Sequence, residues 1–245
     1  MLPAVPLDPD AARAVGRLLR DEAQRHRLLA VSAHDRTDGG AGIGLTAIHL
    51  TPTVGLLGLT PPAAPEERAE AIDDLELQLG WIEIGEALGR LLAGDGFVVE
   101  RLLDPRPILT TPELEELPPL VRRCLPRSLY RHYGAVATQA FRSLGEEPSR
   151  EELRRLISTC LVGAHLLRHG RLELDLEALL GALPLPGAAA ILDGDDGRDG
   201  GAGRRLAQAA LGLLDQAYAA SSLPGEPDGK GELQEWLIAL RLRCR

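Results

Sequence analysis

The run Leu28–Leu59, LLAVSAHDRTDGGAGIGLTAIHLTPTVGLLGL, constrains the fold of this chain more than any other stretch. Two short apolar stretches, Leu28–Ser32 and Leu45–Leu50, flank Asp35–Gly42, whose Asp-Gly and Gly-Gly steps demand positive φ angles. The pattern is strand, turn-rich loop, strand. Val54–Leu59 continues the second strand or forms another, and Pro61–Pro65 breaks the run. Leu75–Ile84 alternates at Leu75, Leu77, Leu79 and Trp81, which predicts a third strand. A sheet of this kind needs a cover. Asp8-Pro9-Asp10 is a helix start, an acidic N-cap with Pro at the first helical position. Ala11, Val15, Leu18, Leu19 and Ala23 then recur at helical spacing to about His26.

Glu83–Leu92 reads as a helix that ends at Gly94-Asp95-Gly96. From Val98 onward the pattern is helical, with apolar stripes over residues 98–103, 113–124, 128–144, 149–169, 175–182, 203–222 and 230–243. Ser149–Glu152 is a capping box, and Gly170 stands where a C-terminal glycine cap belongs. Asp193–Gly203 reads as a flexible surface loop and Ser221–Gly231 as a linker-like stretch. The expected class is α+β: a small mixed sheet in residues 1–105, followed by a mainly helical domain in residues 106–245.

At 245 residues the chain has ample length for a core, but only 3% of it is aromatic, so Leu, Ala and Val must build that core. Cys124, Cys160 and Cys244 are too few and too widely spaced for a disulfide framework or a structural zinc site. A net charge of −9 argues against tight nonspecific binding to a nucleic-acid backbone. No window approaches the length of a membrane span, and Met1-Leu2-Pro3 opens no signal peptide, so the expected location is the cytoplasm, with no membrane partner.

Several longer segments carry a family likeness. LGRLLAGDGFVVERLLDPRPIL resembles a segment Leu-x-x-Leu-Leu-x-Gly-Asn-Pro-x-x-Leu-Glu-Leu-Leu-x-Ser-Pro of a bacterial family of predicted nucleotidyltransferases in the DNA polymerase beta superfamily, with Gly94, Asp95, Gly96, Glu100 and Pro105 at its marked positions. LYRHYGAVATQAF, CLVGAHLLRHGRLELDLEALL and AYAASSLPGEPDGKGELQEWLIALRLR resemble that family's following helix, helix-turn and C-terminal tail, in the same order. The likeness implies a strand, a small-residue turn and a second strand bearing an Asp-x-Asp pair that holds Mg²⁺ against a nucleotide triphosphate. In this chain Gly42 and Gly44 stand at the acid positions, and Val31-Ser32 or Ser32-Ala33 at the Gly-Ser position.

Two acids at i and i+2 on a strand point to one face and converge on a cation, whereas glycines offer it no oxygen. Losing the charge stabilisation of one ion costs several kcal/mol of barrier. The resemblance therefore implies a scaffold without its metal. No catalytic residue and no metal ligand is assigned, and no cofactor is expected. Ser32, His34 and Arg36 are candidate nucleotide contacts, with Arg90 a further candidate for a phosphate. Asp35, Asp38, Asp74 and Glu76 are the acids that a relocated site would use. GGAGIG lacks the spacing of a dinucleotide fingerprint and precedes a strand, so it is set aside.

His132 lies in RSLYRHY, which mixes Arg with aromatics as nucleic-acid-contacting helices do, and reads more simply as a solvated helix face. His165, Arg168 and His169 read as cations near a helix end, favoured there by the dipole. Trp236 is either a core residue of the last helix or an anchor for a partner. Three functions stay open: a catalytically degenerate nucleotidyltransferase-fold protein that binds a nucleotide or a protein partner, an active Mg²⁺-dependent enzyme with relocated ligands, and a structural subunit of a larger assembly.

Overall fold

A computed structural model describes residues 7–35, 42–60, 63, 65–72, 75–193 and 200–244. In chain order its elements are α1 (Pro9–Ala23), β1 (Arg27–Asp35), β2 (Ile43–Leu50), α2 (Thr53–Leu56), β3 (Arg68–Ile72), β4 (Leu75–Glu83), α3 (Ile84–Leu92), α4 (Gly96–Leu102), β5 (Leu109–Thr110), a 3₁₀ turn (Pro112–Leu114), α5 (Leu117–Arg123), α6 (Leu129–Ser143), α7 (Arg150–His169), α8 (Leu176–Ala182), α9 (Ala188–Asp193), α10 (Gly200–Ala219) and α11 (Lys230–Arg243). The class is α+β, a mixed sheet with many helices, as the sequence predicts. No helix among the described residues is long and apolar enough to cross a membrane.

The described residues form two compact units, one drawn from residues 7–92, Phe97–Cys124 and 228–244 and the other from Ala93–Gly96 and Leu125–Pro227. The last helix, which the sequence places in the helical domain, thus belongs to the unit that holds the sheet.

In the sheet unit the strand order is β3-β4-β2-β1-β5, with β2 and β4 parallel and the other neighbours antiparallel. Alternation puts Val31, Ala33, Ile43, Leu45, Ala47, Leu77 and Leu79 on one face, where they meet Ala11, Ala14, Val15, Leu18 and Leu19 of α1. Asp8 caps α1 by accepting from the amides of Asp10 (3.0 Å) and Ala11 (2.8 Å), which orients this apolar stripe. Each Leu or Val it buries stabilises the unit by about 1.5–3 kcal/mol. Against the other side of β2 and β4 lies α3, whose first amides are held by Glu83: its Oε2 accepts from Gly85 N at 2.6 Å and Glu86 N at 3.3 Å. Arg241 of α11 donates to both oxygens of the same carboxylate, at 3.0 and 3.1 Å, and its carbonyl accepts from Thr53 Oγ1 at 2.7 Å. These bonds tie the last helix to the sheet.

Several elements depart from the sequence expectation. Val54–Leu59 is no strand: it forms the single turn of α2 and leaves Val54, Leu57 and Leu59 exposed, because the flank of β2 is already taken by β1 and β4. β3 and β5 were not predicted; β3 alternates only weakly in hydrophobicity, and β5 is two residues long. The helix expected from residue 203 begins at Gly200, and the rest of the expected loop before it largely lies outside the described residues.

In the helical unit α7 is central, touching α6, α8, α9 and α10. Its capping box is formed as expected, with Glu152 N donating to Ser149 Oγ (3.2 Å) and Ser149 N to Glu152 Oε2 (2.7 Å), and Gly170 closes it in a left-handed conformation. At Gly163 a Cβ would fall 2.6 Å from the ring of Tyr133, so α6 and α7 approach closely there only because this residue has none.

Candidate functional site

The face of the sheet opposite α1 carries the candidate site. Strand alternation and register put Ser32 and His34 of β1, Gly44 and Thr46 of β2, and Gln78 and Gly80 of β4 on it, in rows Ser32–Thr46–Gly80 and His34–Gly44–Gln78. His34 Nε2 and Thr46 Oγ1 share a hydrogen bond of 2.9 Å, and both residues are buried. Over them opens a cleft of about 160 Å³ lined by His34, Thr46, Gln78, Arg90 and Phe97, with the exposed Glu67 also in its wall.

Phe97 organises one side of this cleft. His34 meets its ring edge-on at 5.9 Å, the Arg90 guanidinium lies 5.9 Å from its centroid, and Arg101, itself buried, lies at 4.7 Å. Arg90 also reaches Glu86 one turn earlier on α3, at 3.5 Å. The cleft thus combines an imidazole, a hydroxyl, a side-chain amide and a guanidinium. That set suits hydrogen bonding to an anion or to a polar small molecule.

Gly42 and Gly44 lie at the head of β2. Gly44 is in β2, between His34 and Gln78. Gly42 lies just before β2 with φ +114°, and a Cβ on it would stand 2.3 Å from the Glu76 carbonyl oxygen. No side chain fits there in this backbone. β2 itself, IGLTAIHL, contains no carboxylate. Among the described residues no group of three or more His, Cys, Asp or Glu is placed to hold a metal ion.

Of the residues singled out from the sequence, the structure brings His34 and Arg90 to the cleft and places Ser32 on the same sheet face, in register with Thr46. Arg36, Asp38 and Asp74 lie outside the described residues. Asp35 ends β1, in register with Ile43. Glu76 is exposed on β4, two residues from Gln78 and on the same face. Thr46, Gln78 and Phe97 were missed. For the first two the signal was present, since alternation from Gly44 and along Leu75–Ile84 sends Thr46 and Gln78 to one face; Phe97 reaches the cleft only through the packing of α4.

The aromatic cluster in the helical unit is consumed internally. Tyr130 stacks on Tyr218 at 4.3 Å and donates to Asp215 at 2.6 Å. Arg127 covers Tyr218 at 4.3 Å, and its guanidinium donates to the Tyr218 carbonyl at 2.8 Å. His132 lies 3.6 Å from Asp95. Trp236 is buried on α11, as are Leu233 and Leu240.

No protein-family model matches the chain, and no curated protein does. Among solved structures it is similar to a nucleotidyltransferase-like protein from Exiguobacterium sibiricum 255-15, with 14% identity, 96% of this chain and 81% of that one covered, and a TM-score of 0.37.

Proposed function

We propose that this protein is a catalytically degenerate member of the nucleotidyltransferase-like group, and that its sheet-face cleft binds the anionic end of a nucleotide without a metal ion. One observation carries the reading: the cleft lies beside the strand to which the family resemblance assigns the metal-binding pair, and Gly42 and Gly44 stand at those positions in place of carboxylates. Magnesium demands hard oxygen ligands in near-octahedral geometry, and two-metal nucleotidyl transfer needs carboxylates that converge on one face. β2 supplies none. Arg90, His34, Thr46 and Gln78 instead offer donors suited to phosphate oxygens.

The volume supports one end of a ligand and no more. A cleft near 160 Å³ is about half the lower bound of about 300 Å³ for pockets that enclose a drug-sized molecule. Arg101 covers one face of the Phe97 ring at 4.7 Å.

Calorimetric titration of each nucleoside triphosphate, with and without Mg²⁺, tests the reading. Binding that survives chelation of Mg²⁺ and weakens at least tenfold in Arg90→Ala supports it. Strictly Mg²⁺-dependent binding, with nucleotide incorporation lost in Glu76→Ala, supports the active enzyme instead. No binding of any nucleotide leaves a structural subunit.

A further inference from the structure

We propose that His165 and His169 form a two-histidine chelate for a late first-row divalent metal ion, with water completing the coordination. The site lies at the end of α7 in the helical unit and is independent of the cleft. From sequence alone these residues read only as cations at a helix terminus; the geometry assigns them more.

Residues four apart lie one above the other on a helix face, the spacing at which two histidines of an H-x-x-x-H pair bind one zinc ion. Here the ring centroids are 4.6 Å apart. With metal–nitrogen bonds of about 2.1 Å, two imidazoles sharing a cation in cis positions bring their centroids to roughly 4.5–5 Å. The rings therefore stand at chelating distance.

The second observation is the orientation of His165. Its Nδ1 lies 2.9 Å from the carbonyl oxygen of Arg171. A carbonyl only accepts, so Nδ1 carries the proton, and in the neutral ring Nε2 keeps its lone pair. Metal-ligating histidines are held in this manner, one ring nitrogen donating to a carbonyl while the other faces the metal. The carbonyl is there because Gly170, in the left-handed conformation, turns the chain back after its amide has closed the helix on Leu166 O at 2.8 Å.

Accessibility and charge also bear on the site. His169 is exposed and His165 half-buried, so a cation reaches both. Arg168 and Arg171 oppose a dication, but both are exposed and their fields are screened, whereas the carbonyl end of α7 attracts one.

The test is calorimetric titration of the full chain with Ni²⁺ and Cu²⁺ in a non-chelating buffer. The expected result is saturable binding of one ion per chain, tighter for Cu²⁺ than for Ni²⁺ as the general order of divalent affinities requires. His165→Asn keeps a donor toward the Arg171 carbonyl but has no second ring nitrogen, and His169→Ala removes the partner. Each should weaken binding at least tenfold while the far-ultraviolet circular dichroism stays that of the parent. Unchanged affinity in either variant, or no saturable binding by the parent chain, overturns the chelate. His26→Ala is the control and should bind as the parent does; a tenfold loss there would move the site elsewhere and overturn it too.

Discussion

The point where a Cβ would stand on Gly42 is 2.3 Å from the main-chain carbonyl oxygen of Glu76, and the Gly42 φ is +114°. An acid at this position is therefore excluded by the backbone, so placing a carboxylate there takes more than changing a side chain. Gly42→Asp should destabilise the protein by about 2–4 kcal/mol, from a conformation unsuited to L-residues and the clash with β4. Urea denaturation measures the loss. The same variant should show no Mg²⁺-dependent nucleotide incorporation.

Arg68 of β3 donates to Glu22 of α1 at 2.6 Å, and Glu22 is 4% exposed. The more distant Arg25 (3.4 Å) and His26 (3.9 Å) complete its surroundings. Arg68→Ala withdraws the shortest bond from a buried carboxylate, while the half-exposed arginine itself loses little. The expected cost is about 1–2 kcal/mol. A double-mutant cycle with Glu22→Gln should return a coupling of the same sign, and additive effects would show that the pair contributes nothing.

His49 is buried and packs against Trp81 (5.8 Å between centroids) and His26 (6.3 Å). Burial pushes its pKa below the ordinary 6.5; the Glu83 carboxylate opposes this, the neighbouring His26 adds to it and Glu86 opposes it. The folded protein then binds fewer protons than the unfolded chain at this site. Its contribution is present above pH 6.5 and is lost as pH falls through the lowered value. Thermal melts between neutral and mildly acidic pH should show a falling Tm, and His49→Gln should flatten that slope. An unchanged slope would remove His49 as its cause.

All three cysteines are free and buried. Burial pushes the Cys160 thiol up to about 12, with the Asp215 carboxylate adding to it, and raises Cys124 as well. The thiolate is the reactive form, so native protein should resist alkylation at neutral pH and react at three thiols once unfolded. Rapid labelling of Cys160 in native protein would mean that α7 opens far more readily than its packing implies.

Much of the fold was legible because it is encoded within a few residues of itself. Asp8-Pro9, Ser149–Glu152 and Gly170 start and stop helices through bonds that span two to four positions, and each forms as the pattern implies. Leu75–Glu83 alternates because one face of β4 meets α1. Val54–Leu59 misled because an apolar run is consistent with a strand, and only sheet neighbours decide whether it joins one. β3 and β5 depend wholly on their partners β4 and β1.

The candidate site divides the same way. Composition and local order determined that no carboxylate stands on β2 and that His34 lies on the strand before it. The tertiary structure decided the rest: that register aligns His34, Gly44 and Gln78, that α4 brings Phe97 to the cleft, and that Glu76 leaves no room at Gly42. At the end of α7 the sequence determined the spacing of His165 and His169, while only the chain reversal at Gly170 set the Arg171 carbonyl on the first ring. Helical and strand periods arise from contacts a few residues apart, so a single chain displays them. Register and packing arise between residues tens of positions apart, and three-dimensional closure of the core selects among the many arrangements that local pattern permits.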